Sequence, residues 1–208
     1  MNPQTKPEGP AGRGRRQLLG LAAMFFVPLA VAFWLYYGAS SWKPQGGTNN
    51  GDLIDPARPL PEVALPAQDG KRLTSSDLLR GKWTMLYVGD GACDERCRKA
   101  LYLTRQSRLA LNKDYDRIRR VFLATGDCCD RELISAEHPD LLVAVLEGPG
   151  AETLLRAFPE YDGTDVADAG RIYLVDPLGN LMMSYSAEAP DKALLKDLKK
   201  LLRLSHIG

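Results

Sequence analysis

WTMLYVGDGACDERC, residues 83–97, is the stretch on which the fold turns. Trp83 to Val88 is a nearly unbroken apolar run that ends in the small-residue turn Gly89-Asp90-Gly91-Ala92, the pattern of a strand buried on both faces. Two thiols follow, Cys93 and Cys97, four residues apart. A helix beginning near Cys93 places both sulfurs on one face of its first turn, where unpaired backbone N–H groups and the helix dipole favour thiolate over thiol. That is a place for redox or soft-metal chemistry. The neighbours pull both ways: Asp94 and Glu95 oppose a thiolate, whereas Arg96, Arg98 and Lys99 favour it. A disulfide closing so short a loop removes little chain entropy, so a bond here is expected to open and close rather than only to staple.

On the N-terminal side, Leu18 to Tyr37 reads LLGLAAMFFVPLAVAFWLYY, twenty residues without a charge. At the helical rise per residue this covers the ~30 Å hydrocarbon core of a bilayer. Lys6, Arg13, Arg15 and Arg16 precede it against the single acid Glu8, so residues 1–17 are expected to stay cytoplasmic and the rest to be translocated. The small residues Gly38-Ala39-Ser40-Ser41 also fit a cleaved signal peptide, but an apolar core of this length exceeds the usual ~7–15 residues of such segments. The reading adopted is a single uncleaved anchor, 18–37, in a bacterial-type inner membrane, with Pro28 a candidate kink and Trp34, Tyr36, Tyr37 and Trp42 at the outer interface. Residues 38–60, rich in Gly, Pro, Asn and Asp, read as a flexible tether, and 61–208 as one domain of common size.

Beyond the tether the elements alternate. An extended lead-in at 62–65, a turn at Asp69-Gly70 and a helical turn capped by Thr74 or Ser75 precede the buried strand. A helix from about 94 to 113, a strand at 121–125, an apolar strand at 141–146 and a helix from about 150 to 158 follow. Strands 172–175 and 181–185 flank Asp176-Pro177-Leu178-Gly179-Asn180 as a hairpin. Leu194, Leu195, Leu198, Leu201 and Leu202 mark the packing face of a last helix. This order predicts an α/β fold, a mixed sheet covered by helices on both faces. The chain carries a net charge of +1, and the domain has no long basic run, no Walker A pattern and no Gly-rich dinucleotide fingerprint. Nucleic acid is therefore not an expected partner.

That element order, with Cys-x-x-x-Cys after the first buried strand, resembles the thioredoxin fold and more closely its Sco/SenC branch, membrane-anchored factors of cytochrome c oxidase assembly. The resemblance runs over roughly residues 59–203, on LPEVALPAQDGKRLTSSDLLRGKWTMLYVGDGACDERC and IYLVDPLGN, and the N-terminal anchor agrees with it. In that family the two motif cysteines and a later histidine bind copper for delivery to the oxidase's binuclear centre, while some members reduce thiols there. The resemblance thus implies copper as a metal at Cys93 and Cys97 and an oxidase subunit as protein client. The position aligned with the histidine carries Asp168, a hard donor and a poor substitute for imidazole toward Cu(I). Of the two histidines in the chain, His138 reads as a helix end before Pro139 and His206 as part of the C-terminus.

Cys128 and Cys129 follow the strand 121–125. In a thioredoxin-like sheet that strand runs parallel to 83–88, so its C-terminal loop opens on the edge that carries Cys93, and the loop with Asp168 reaches the same edge. Cys128, Cys129 and Asp168 are therefore secondary site candidates; the plain alternatives for the cysteines are free loop thiols or a vicinal disulfide. Met182 and Met183 read as packing residues. Three functions stay open: a periplasmic thiol–disulfide oxidoreductase with Cys93 attacking and Cys97 resolving, needing no cofactor; a copper chaperone using the same two sulfurs; and a non-catalytic assembly subunit whose cysteines form a structural bond.

Overall fold

The computed structural model of the chain describes residues 11–38, 47–67, 71–126, 128, 131–186 and 188–208, and the chain divides into two units, 1–47 and 48–208. The turn expected at Asp69-Gly70, together with Trp42 and Cys129, lies outside the described residues. The first unit holds α1 (Ala11–Tyr37), a continuous helix with Pro28 inside it. Its stretch Gly14–Tyr37 is long and apolar enough to cross a membrane, and its large apolar side chains are exposed.

The second unit begins earlier than expected. Strand β1 (Asp52–Pro59) occupies much of the segment read as a tether, pairing antiparallel with β8 (Asn180–Tyr185). Its composition hid it, since Asp52, Asp55, Pro56 and Pro59 suit only an edge strand, which is where it lies. A short hairpin follows, β2 (Ala64–Pro66) with β3 (Arg72–Thr74). Thr74 then caps α2 (Ser75–Leu79), exchanging hydrogen bonds with Asp77 in a capping box.

β4 (Trp83–Asp90) is the centre of a six-stranded sheet in the order β1-β8-β7-β4-β5-β6. It runs parallel to β5 (Ile118–Thr125), which is parallel to β6 (Leu141–Val145), and antiparallel to β7 (Ile172–Val175). Side chains alternate across it. Trp83, Met85 and Tyr87 face one apolar cluster together with α3 (Glu95–Leu109) and α6 (Ala193–Leu204). Leu86 and Val88 face a second cluster with Leu78 and Leu79 of α2 and with Ala151 and Leu154 of α5 (Gly148–Leu155). The sheet is thus sandwiched, as the alternation of elements predicts. The helix expected over 94–113 is shorter and gives way to a 3₁₀ turn at Asn112–Arg117. α4 (Arg131–Glu137) lies between β5 and β6 and ends at His138, where the sequence placed a helix end before Pro139.

Candidate functional site

The C-terminal end of β4 builds the site. The register pairs Asp90 with Thr125 at the ends of the parallel strands β4 and β5. Just beyond, the Gly91 amide donates to the Thr125 carbonyl at 2.8 Å, the Ala92 amide to Asp90 Oδ1 at 2.8 Å, and the Cys93 amide to the Asp90 carbonyl at 3.0 Å. These bonds fold residues 90–93 into a tight turn, and Cys93 takes the left-handed conformation at φ +50°. Asp94 then caps α3, its Oδ1 accepting from the Cys97 amide at 2.9 Å.

Cys93 and Cys97 are joined as a disulfide, their Cα atoms 5.0 Å apart. The expectation that both lie in the first helical turn needs correcting. Cys97 lies in that turn, whereas Cys93 lies outside the helix, one residue before the cap. The pair is buried, with Cys93 4% and Cys97 1% exposed, within the apolar cluster that α3 and α6 form against the sheet.

Asp94 follows Cys93 directly and carries a charge at the start of α3. The Cys97 amide holds its carboxyl below the ordinary carboxylate range, helped by the Arg96 guanidinium, whose Nε lies 3.2 Å from Asp94 Oδ2. Arg96 is therefore engaged with Asp94 rather than left free to stabilise a thiolate. Nearby, burial and then the Asp94 charge push the Tyr87 hydroxyl up to about 12, so it stays protonated.

Asp168 lies beside the start of α3. Arg96 Nη1 donates to the Asp168 backbone carbonyl at 3.4 Å, and the residue is exposed. Cys128 is half-buried, packs against the cluster that contains Cys93 and Cys97, and is disulfide-bonded rather than a free thiol. Among the described residues no group of three His, Cys, Asp or Glu side chains comes together to hold a metal. Copper as cargo would find two sulfurs here once the bond is reduced, a soft pair suited to Cu(I). His138 is buried in a different place, against Arg120, and Met183 is buried in the core with Met182 half-buried beside it. Asp94 as cap was missed as a structural part of the site, although Asp before a helical pattern is a readable capping signal.

The sheet order, the two covered faces and a disulfide leading into the helix after the central strand define a thioredoxin-like protein. Residues 83–205 match the family described as transmembrane-like, thioredoxin-like, C-terminal domain, and residues 10–39 match the transmembrane-like, N-terminal domain. The chain belongs to that transmembrane-like, thioredoxin-like family. No curated protein matches it. Its fold is also that of Sco proteins. Copper-bound ScoI of Arabidopsis thaliana is 22% identical with a TM-score of 0.58, over 70% of this chain and 99% of that one. BsSco, a Sco-family cytochrome c oxidase assembly protein in which a disulfide switch was identified, is 16% identical with a TM-score of 0.51, over 74% and 99%. The peroxidoxin BcpB of Mycobacterium tuberculosis is 19% identical with a TM-score of 0.54, over 72% and 97%.

Proposed function

We propose that this chain is a membrane-anchored thiol–disulfide oxidoreductase, working from the periplasmic side of a bacterial inner membrane on a protein client of cytochrome c oxidase copper-centre assembly. The observation that carries the reading is the Cys93–Cys97 disulfide at the end of the central strand, with one cysteine inside the helix start and the other outside it. Cys93 is the attacking thiolate and Cys97 the resolving one. Both sulfurs are buried, but Cys93 lies on the turn outside α3, so it is the one uncovered when the turn opens, while Cys97 is fixed by the helix to return onto it. The Sco neighbours supply the client class; the oxidase is named for those proteins and comes to this chain by likeness of fold.

Delivery of copper by the same two sulfurs is the second reading, favoured by the copper-bound ScoI neighbour and weakened because, among the described residues, no third His, Cys, Asp or Glu side chain joins the pair. One experiment separates the two. Cys97→Ser leaves the first mixed disulfide unresolved, so a covalent complex between the chain and its client accumulates in membranes, visible on a non-reducing gel. Cys93→Ser gives none, because exchange begins with that thiolate. Equal loss of oxidase assembly in both variants with no trapped complex points to copper delivery instead, and unimpaired assembly in the double variant leaves a binding domain.

A further inference from the structure

The Cys93–Cys97 bond is buried, so a bulky partner reaches it only after the turn opens, yet a third disulfide-bonded cysteine, Cys128, packs against the same apolar cluster. Gly91 and Thr125 are hydrogen-bonded where the parallel strands β4 and β5 end. Cys93 follows two residues after the first and Cys128 three residues after the second. Both chains leave one anchored point, and Cys128 packs against the apolar cluster that encloses Cys93 and Cys97. Disulfide exchange needs a thiolate, a neighbouring disulfide and an approach path, with no cofactor.

We propose that Cys128 is a second redox station of the domain, exchanging electrons with the Cys93–Cys97 pair inside the molecule. The proposal rests on Cys93 being the attacking thiolate. Once a dithiol donor has reduced the first pair, the Cys93 thiolate attacks Cys128 Sγ. A Cys93–Cys128 bond forms, the bond that Cys128 held breaks, and the sulfur released from it takes up a proton. Cys97, as thiolate, then attacks Cys93 Sγ, restoring the Cys93–Cys97 bond and releasing Cys128 as a thiolate. Two electrons have passed from the pair to the Cys128 disulfide, two sulfurs have been oxidised and two reduced, and the reverse transfer follows the same path. The pair that meets the client is thereby backed by a store of reducing equivalents, or of oxidising ones, in the same domain.

The test uses the full chain in detergent. In the purified chain, with no client present, Cys97→Ser leaves Cys93 free to attack and removes the sulfur that completes the transfer, so the transfer stops at the Cys93–Cys128 bond. After free thiols are blocked by alkylation, tryptic digestion without reductant cuts after Lys82 and Arg96 and after Arg120 and Arg131, isolating residues 83–96 and 121–131. The expected result is a disulfide-linked pair of these peptides, with fragmentation placing the bond on Cys128, as the main linked species in Cys97→Ser and absent from Cys93→Ser. A Cys93 that is alkylated in Cys97→Ser, with no linked pair, overturns the relay. If the client complex still accumulates in that variant, only the relay falls; if neither species forms, the assignment of Cys93 as attacking thiolate falls with it. A link between Cys97 and Cys128 in Cys93→Ser overturns the assignment of Cys93 as the exchanging sulfur.

Discussion

Cys93 holds a conformation that costs a residue with a side chain about 1–2 kcal/mol, because the chain must leave β4, fold over Gly91 and enter α3 in a few residues. The cost is borne at the residue proposed to react, and the adjoining cap contributes to holding it. Asp94 does two opposing things. Its carboxylate satisfies the Cys97 amide and starts the helix, and its charge disfavours a thiolate next to it. Asp94→Asn separates them, since asparagine caps about as well as aspartate but is neutral. The variant is expected to keep wild-type stability in urea and, after reduction, to be alkylated faster at Cys93 at neutral pH, with the gain shrinking at high salt. Unchanged alkylation would show that Arg96 already cancels the Asp94 charge. The spacing of Cys93 and Cys97 was readable because their pairing depends on local chain geometry. The left-handed turn was not, because no glycine or asparagine marks it and its hydrogen bonds come from Asp90 and from the neighbouring strand.

At the scale of elements, the edge strand β1 is held by α6. Asp197 is 3% exposed and accepts from the Asn50 amide at 2.7 Å, Asn50 Nδ2 at 2.8 Å, the Gly51 amide at 3.0 Å and the Tyr185 hydroxyl at 3.0 Å. Burial, with the Asp197 charge adding to it, keeps Tyr185 protonated as a donor far above the ordinary tyrosine range. Gly51 is required there, because a Cβ would stand 2.5 Å from the Tyr185 ring and 2.9 Å from the Ser184 carbonyl. Asp197→Ala strands two buried donors, the Gly51 amide and the Tyr185 hydroxyl, while exposed Asn50 turns to water. The expected cost is about 2–5 kcal/mol, read as a lower urea midpoint with an unchanged slope. Strands β4 to β8 were legible from apolar runs of period one or two, and α6 from its leucines. β1 was not, since it is an exposed edge strand rich in Asp and Pro, and the residues just before it are anchored by a carboxylate nearly 150 residues away. In sequence that carboxylate looks like one more charge on a lysine-rich helix.

The whole domain is tied by one buried polar network that no local pattern announces. Arg120 of β5 is fully buried. It donates from Nη1 to Asp140 Oδ1 at 2.9 Å, from Nη2 to the Leu101 carbonyl at 2.8 Å and from Nε to Thr104 Oγ1 at 3.1 Å, while Arg108 Nη1 reaches Asp140 Oδ2 at 2.5 Å. Burial by itself would raise the Asp140 carboxyl, but Arg120 and Arg108 override it and hold it low. His138 Nδ1 lies 3.2 Å from Arg120 Nη2; as the guanidinium only donates, Nδ1 accepts and the ring is neutral with its proton on Nε2. Burial first, then the charges of Arg120 and Arg105, push the His138 titration below the ordinary histidine value of 6.5. An unfolded chain therefore binds a proton at His138 at a pH where the folded one does not, and stability rises with pH through that window. The wild-type melting temperature is therefore expected to fall as pH drops from about 7 to about 5, before the carboxylates titrate. His138→Gln can still accept from Arg120 and cannot take a proton, so its melting temperature should be nearly flat over that window. Asp140 adds a second loss only at lower pH, as it is protonated through its depressed value and releases both arginines, and that acid limb should persist in His138→Gln. A variant that keeps the full slope between about 7 and 5 would place the titrating group elsewhere and would mean that the Arg120–His138 contact does not hold the ring neutral.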